Sequence, residues 1–94
     1  MTWRVELSRA AARAFQRESK PDRKRIERAI DGLGTNPRPP GKLVKAIQGP
    51  HDEFLRLRVG DYRILYEVFD PDRIVLIHGI VARKELEEWL RQRR

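Results

Sequence analysis

The chain has 94 residues, of which 37% are charged and 39% hydrophobic, a composition typical of a small globular protein with a very polar exterior. It contains no cysteine, which excludes disulfides and thiolate metal sites, and no apolar run approaches the ~20 residues of a membrane span. Because the first residues lack the apolar segment of a signal peptide, we expect a single cytoplasmic domain, residues 1–94, without membrane association.

The net charge of +7 predicts a polyanionic partner, for which nucleic acid is the first candidate. Residues 1–47 hold 12 Lys and Arg against 5 Asp and Glu, whereas residues 48–94 hold 9 of each. The positive excess therefore lies in the N-terminal half. An ordinary solvated basic surface is the alternative explanation.

The N-terminal half predicts one strand followed by two helices. Residues 2–7 alternate between apolar and charged side chains, as in a half-buried strand. Ser8 is suited to cap a first helix that runs to about Ser19, and Pro21 suits the first turn of a second helix that ends near Gly34. Four cations cover the outside of the second helix, as an anion-binding surface or as a solvated face: Arg23, Lys24, Arg25 and Arg28.

The middle of the chain predicts a loop and then a β-hairpin. Residues 35–41 contain three prolines and a glycine, which exclude helix and regular strand, and residues 43–47 suit a short irregular strand. Residues 55–59 and 62–68 alternate around Gly60-Asp61, a two-residue loop with glycine first that suits a tight hairpin turn.

The last third predicts a central strand and a short helix. The Asp70-Pro71-Asp72 turn leads into residues 74–81, a nearly continuous apolar run that is typical of a strand covered on both faces. Residues 84–91 have apolar side chains at helical spacing. The element order predicts an α+β fold, in which an N-terminal helical hairpin packs on an antiparallel sheet with a short C-terminal helix.

The hairpin pattern brings three arginines to one face of the sheet. Arg58 lies directly opposite Arg63, and Arg56 lies one pleat away, although opposed like charges destabilise a sheet by a few tenths to ~1 kcal/mol. Guanidinium groups bind phosphate oxygens through paired hydrogen bonds, so we predict a phosphate site on the face away from the helical pair. The alternative is a surface network in which carboxylates pair with the arginines: Asp52, Asp61 or Glu67.

Other catalytic chemistry is not indicated. His51 and His78 lie far apart and belong to no metal-binding motif, and neither Ser8 nor Ser19 lies in a nucleophile motif. The glycines are not grouped into a phosphate loop. We therefore expect no metal and no cofactor, and we do not expect a covalent hydrolase or a nucleotide-hydrolysing enzyme.

The string RLRVGDYRILYEV, with Lys42-Leu43 upstream, resembles the RelE/ParE superfamily of bacterial toxins, and IVLIHGIV resembles its HigB-type branch. The resemblance extends over nearly the whole chain and implies a RelE-like fold and a cognate antitoxin protein as partner. RelE-like members are ribosome-dependent endoribonucleases that cleave messenger RNA without metal. ParE-like members inhibit DNA gyrase by protein binding. The resemblance thus implies an mRNA interferase, with a gyrase inhibitor as the alternative and a plain nucleic-acid-binding module as a third reading.

The resemblance also implies site residues. In RelE-like members a ribose 2′ oxygen attacks the adjacent phosphate, a reaction that needs a base, an acid and cations for the developing charge. By position, Arg56, Arg63 and Arg83 fall on catalytic residues of the family, and Arg58 adds positive charge beside them. Every matched position keeps a cation, so the phosphate-binding part of the family's site is expected here.

The acid and base of the RelE pattern are not kept. Phe54 stands where the family has a second lysine, and the family's C-terminal tyrosine falls on Glu87 or Trp89. The retained arginines do not replace them, because a guanidinium with a pKa above ~12 is a poor general base.

Two side chains are candidates for the missing roles. His78 could exchange protons, since the unperturbed pKa of histidine is near ~6.5, and a register in which Asp70 pairs with Arg73 would place it opposite Leu65. Trp89 could stack on an RNA base. For both, a purely structural role is the alternative.

Overall fold

The computed structural model of the chain describes residues 2–47 and 53–93. Their elements are β1 (Arg4–Leu7), α1 (Arg9–Arg17), α2 (Lys20–Thr35), β2 (Val44–Ala46), β3 (Leu55–Val59), β4 (Tyr62–Phe69), β5 (Ile74–Ala82), a 3₁₀ turn (Arg83–Glu85) and α3 (Leu86–Arg91). The predicted α+β class is confirmed. Within these ranges no helix is long and apolar enough to cross a membrane.

The strands form one five-stranded sheet in the order β1-β5-β4-β3-β2. The pairs from β2 to β5 are antiparallel, as predicted, whereas β1 lies parallel to β5. The sheet is therefore mixed rather than wholly antiparallel. The parallel edge gives the apolar β5 a hydrogen-bonded neighbour on each side, which explains why its sequence reads as a central strand.

Both long helices begin at serine caps, of which Ser8 was predicted. The Ser8 hydroxyl accepts a hydrogen bond from the backbone N–H of Ala11 at 3.1 Å and donates one to the carbonyl of His78 at 3.0 Å. Ser19 caps α2 in the same way, with Pro21 in its first turn. The helix ends at Thr35, one residue beyond the predicted stop at Gly34. The Ser8 hydroxyl thereby joins α1 directly to the central strand.

The main core lies between the helical hairpin and one face of the sheet. The fully or almost fully buried residues of this core are Ala11, Ile26, Leu33, Leu57, Ile64, Tyr66, Val75, Ile77 and Ile80. Leu57, Ile64 and Tyr66 of the hairpin lie in this core, on the face opposite the arginines, as the alternation of the hairpin predicts. The phenol of Tyr66 donates a hydrogen bond of 2.7 Å to the carbonyl of Pro37, which satisfies this buried hydroxyl.

A second, smaller core lies on the opposite face of the sheet. Its buried members are Ile47, Phe54, Leu65 and Leu86, with Val81, Trp89 and Leu90 packed against them. No helix was predicted on this face, but α3 covers the part that carries Phe54 and Leu65. The basic part of the same face stays open to solvent, and this division positions the site described below.

Candidate functional site

The hairpin pairs in the predicted register. Val59 faces Tyr62, Arg58 faces Arg63, and Arg56 faces Leu65. Gly60 has φ +57°, a left-handed conformation that glycine adopts without strain and that a two-residue hairpin loop needs. The two arginines predicted to oppose each other therefore do so on rigid, regularly paired strands.

Hydrogen bonds at the hairpin turn fix two of the arginines. Nη1 of Arg63 donates to the carbonyls of Gly60 at 2.9 Å and of Tyr62 at 2.8 Å. The backbone N–H of Arg83 donates to the carbonyl of Asp61 at 2.7 Å, which joins the end of β5 to the same turn. Arg63 and Arg83 are thus held beside each other by backbone groups rather than by carboxylates.

The electrostatic environment of Arg63 is unfavourable for its own charge. Burial lowers the pKa of its guanidinium, and the positive charges of Arg58, Arg83 and Arg56 lower it further. Asp61 opposes this effect only in part. An anion bound here would gain from the same field, because it would neutralise repulsion that the free protein retains.

The predicted alternative, a network of ion pairs, does not form with the carboxylates that the structure describes. None of the four described ion pairs includes Arg56, Arg58, Arg63 or Arg83. Glu67 instead pairs with His78. Asp52, like His51, lies outside the described residues.

A pocket of about 110 Å³ lies in the middle of this basic surface. Five cations and one apolar side chain line it: Lys42, Leu43, Lys45, Arg56, Arg58 and Arg63. We call this cavity the cationic pocket. Its volume exceeds the ~30 Å³ share of one liquid water, so a small solvated anion has room there.

Sequence reasoning missed two of these cations, Lys42 and Lys45, as site residues. Lys45 lies directly opposite Arg56 in the β2–β3 pairing and therefore faces the same side of the sheet. A three-residue strand after a proline-rich loop shows too little alternation to predict its register. Lys42 was visible only as part of the resemblance.

His78 lies elsewhere than predicted. A β-bulge between Leu65 and Tyr66 pairs Leu65 with Gly79, so the prediction that His78 lies opposite Leu65 is wrong. The predicted pairing of β4 with β5 is correct next to the turn that joins them, but beyond the bulge it is shifted by one residue. Nε2 of His78 lies 2.9 Å from Oε1 of Glu67, and its ring centroid lies 4.8 Å from that of Phe54.

Trp89 packs against the sheet. Three of its ring atoms lie 2.7 Å from the point where a Cβ on Gly79 would be, so the ring lies directly on the backbone of β5. Its ring packs edge-on against Phe54, with the ring centroids 5.7 Å apart, and Cζ of Arg93 lies 3.9 Å from the centroid of the Trp89 ring. These contacts belong to the second core, and the role of Trp89 in base stacking stays a prediction.

The four cations of α2 have different surroundings. Nη1 of Arg23 donates to the carbonyl of Glu18 at 2.9 Å and so stabilises the end of α1. Nη2 of Arg25 lies 2.6 Å from the point where a Cβ on Gly60 would be, so this guanidinium packs against the hairpin turn. Lys24 and Arg28 are exposed.

Tyr62 anchors the hairpin to the junction of the two long helices. Its hydroxyl lies 2.6 Å from Oε1 of Glu18 and 2.9 Å from Oδ2 of Asp22, and it donates its hydrogen bond to these carboxylates. Those hydrogen bonds, first to Glu18 and then to Asp22, raise the pKa of Tyr62 well above its ordinary value. The residue next to Arg63 is thereby tied to the main scaffold.

Comparison with known proteins gives consistent matches. The sequence profile of the family described as "ParE toxin of type II toxin-antitoxin system, parDE" matches residues 5–87. The protein named RelE1 in Methanocaldococcus jannaschii is 32% identical over 85 residues, 89% of this chain and 93% of that protein.

Solved structures agree with these sequence matches. A chain of the archaeal RelE–RelB complex from Pyrococcus horikoshii OT3 is 32% identical with a TM-score of 0.76, covering 88% of this chain and 97% of its own. A chain of the RelB–RelE complex from Methanococcus jannaschii is 26% identical with a TM-score of 0.70, covering 90% and 98%. The chain therefore belongs to the RelE/ParE superfamily of toxins from type II toxin–antitoxin systems.

Proposed function

We propose that this toxin is a ribosome-dependent endoribonuclease that cleaves messenger RNA without metal or cofactor, and so inhibits translation and arrests growth. The observation that carries the proposal is the cationic pocket, in which five positive side chains converge and no described carboxylate forms an ion pair with its arginines. A phosphate group of RNA has the charge and the oxygen geometry that such a pocket recognises.

The positions of the arginines suit charge stabilisation during cleavage. When a ribose 2′ oxygen attacks the adjacent phosphate, negative charge builds up on the phosphoryl oxygens. Arg63 is held in place by two carbonyls of the hairpin turn, so it can meet this charge with little reorganisation. Arg56 lies across the pocket on β3, and Arg83 is held at the same turn by its backbone.

The basic surface of α2 suits binding to ribosomal RNA around the messenger. Lys24 and Arg28 are exposed, and Arg25 extends from the same helix to the hairpin turn. A positive surface thus continues from α2 towards the cationic pocket. Phosphate contacts of this kind give affinity that falls steeply with salt.

A cognate antitoxin is the proposed partner that keeps the toxin inactive in the cytoplasm. Two of the similar structures are complexes of RelE with RelB. Because this chain carries a charge of +7, we expect the antitoxin to contribute acidic residues to the interface. Co-expression and purification test the proposal: the neighbouring gene product should be retained at low salt and relieve growth arrest. A neighbour that does neither would contradict it.

The direct test of the activity uses purified ribosomes programmed with messenger RNA, with mapping of the 5′ ends produced. The parent protein should cleave RNA in the ribosome, and Arg63→Ala should slow cleavage by about 10²-fold or more because charge stabilisation is lost. Arg13→Ala, which removes the same charge from the exposed side of α1, is the matched control and should cleave as the parent does.

Inhibition of DNA gyrase by protein binding is the second candidate, and the match to the ParE toxin profile favours it. This function would need no acid or base, and the family's acid–base residues are not kept in this chain. A gyrase cleavage assay on the same protein separates the candidates. Gyrase poisoning without any ribosome-dependent RNA cleavage would exclude the endoribonuclease.

A further inference from the structure

The cationic pocket by itself lacks groups that transfer protons efficiently. Cleavage by a ribose 2′ oxygen needs a base for the 2′ hydroxyl and an acid for the departing 5′ oxygen. Arg56, Arg58 and Arg63 serve neither role well, because a guanidinium stays protonated. Any efficient acid–base pair must therefore come from other side chains that reach the same phosphate.

A second cavity, of about 490 Å³, adjoins the cationic pocket on the side of α3. It is lined by Lys45, Ala46, Ile47, Arg56, Leu86, Glu87 and Leu90. We call it the α3 groove. Lys45 and Arg56 line both cavities, so a phosphate bound between them faces the groove as well as the pocket. Glu87 contributes a carboxylate to the lining of the same groove.

We propose that Glu87 is the general base and Lys45 the general acid of RNA cleavage, on either side of a phosphate held by Arg56. This inference rests on the proposed endoribonuclease function and supplies the acid–base pair that the sequence comparison left without residues. Both are ionisable side chains that line the same groove as Arg56, and they come from different elements of the fold, β2 and α3.

The chemistry of the two residue types determines their roles. At neutral pH a glutamate is a carboxylate, which accepts a proton, and a lysine is an ammonium, which donates one. The Glu87 carboxylate takes part in no ion pair or hydrogen bond among the described residues, whereas the carboxylate of its neighbour Glu88 pairs with Arg91 at 3.2 Å. The Glu87 carboxylate is thus available for substrate.

The anchoring of α3 restricts where Glu87 can lie. Leu86 is buried in the second core on one side of it, and the ring of Trp89 lies on Gly79 of the central strand. Lys45 is fixed at its backbone by pairing with Arg56. A base on an anchored helix and an acid on a paired strand keep a defined separation, which proton transfer in a single active site requires.

The reaction then balances without any further reactant. The 2′ hydroxyl gives its proton to the Glu87 carboxylate while the 2′ oxygen forms a bond to phosphorus. The bond from phosphorus to the 5′ oxygen breaks, and that oxygen takes a proton from the Lys45 ammonium. The products are a 2′,3′-cyclic phosphate and a 5′ hydroxyl, and water returns the two side chains to their starting ionisation.

Two conservative variants test the inference in the ribosome-dependent cleavage assay. Glu87→Gln keeps the shape of the side chain but cannot accept the proton of the 2′ hydroxyl. Lys45→Arg keeps the positive charge but cannot readily donate a proton to the 5′ oxygen. Each should slow single-turnover cleavage by about 10²-fold or more. Binding to programmed ribosomes should be unchanged or, for Glu87→Gln, slightly tighter. The controls Glu88→Gln and Lys20→Arg alter exposed residues outside the groove and should stay within about twofold of the parent.

A modified RNA separates acid from base. When sulfur replaces the 5′ oxygen at the cleaved bond, the leaving thiolate needs no proton, because a thiol ionises near pH ~8.5. This RNA should restore cleavage by Lys45→Arg and leave Glu87→Gln slow. Parental rates in both variants, or a Lys45→Arg variant that sulfur does not rescue, would overturn the assignment while parental cleavage still upholds the proposed function. A parent that cleaves no RNA would overturn the proposed function itself.

Discussion

Arg58 and Arg63 occupy directly opposed positions on β3 and β4, and neither has an ion-pair partner in the part of the chain that the structure describes. A regular sheet normally avoids like charges at opposed positions. Here the repulsion persists beside a pocket lined by three more cations. The free protein therefore carries a local destabilisation that an anion would remove, and two predictions follow from this relationship.

Removal of Arg58 should stabilise the free protein. Arg58→Gln takes away the opposed charge and should raise the free energy of unfolding by a few tenths to ~1 kcal/mol. Urea unfolding at low salt measures the gain, which should shrink in 1 M KCl, where the screening length is about 3 Å. Arg13→Gln on α1 is the control for net charge. A loss of stability in Arg58→Gln would show that this side chain has a structural partner.

Inorganic phosphate should stabilise the parent protein through Arg63. A ligand that binds only the native state adds about 0.4 kcal/mol when its concentration equals its Kd, and more above it. Thermal unfolding in phosphate, compared with chloride at equal ionic strength, should show this rise in Tm for the parent and for Arg13→Ala. For Arg63→Ala the rise should be largely lost. An equal rise in Tm for Arg13→Ala and Arg63→Ala would show that phosphate binds away from Arg63.

Tyr62 should contribute stability that depends on pH. Its pKa is raised from the ordinary 10.0 by the Glu18 and Asp22 carboxylates, so the unfolded chain loses this proton first as pH rises. The contribution is therefore complete below pH 10 and declines above it. Tyr62→Phe should lose about 1 kcal/mol at pH 8, and the difference from the parent should narrow by pH 11. Burial also raises the pKa of Tyr66, to about 12. Because Tyr66 is present in both proteins, its contribution cancels in the difference between them. A difference that does not change with pH would contradict the hydrogen bonds.

Gly79 should be required for the seating of α3. A methyl group there would lie 2.7 Å from atoms of the Trp89 ring, so Gly79→Ala should displace the helix and cost about 1–3 kcal/mol. Gly32→Ala is the matched control, because no atom of the residues that the structure describes lies within 4 Å of its Cβ position and alanine suits a helix interior better by about 0.5–1 kcal/mol. Tryptophan emission and urea unfolding report both effects. Unchanged emission and stability in Gly79→Ala would mean that the ring does not pack on the strand.

The local sequence pattern was sufficient to predict the helices and strands and the pairing within the hairpin. The alternation of residues 55–68 around Gly60-Asp61 predicts both the pairing of Arg58 with Arg63 and the inward position of Leu57 and Ile64. These features follow from the two-residue period of a strand and from the few turn geometries that two residues allow, so neighbours along the chain determine them. The helix cap at Ser8 and the position of Pro21 in the first turn of α2 were predicted for the same reason.

Which residues make up the site could be identified only from the tertiary structure. The bulge moves His78 out of register, the β2–β3 pairing brings Lys45 opposite Arg56, and the packing of α3 brings Glu87 into the groove that Arg56 lines. All three features join separate segments of the chain. Such contacts depend on how whole elements share the two faces of the sheet. Phe54 and Leu65 are apolar positions on a face that otherwise carries arginines, and burying them against Leu86 draws α3 onto that face. The pattern of the hairpin determined where the arginines lie, and the burial of apolar surface between distant segments decided which carboxylate and which amine lie beside them.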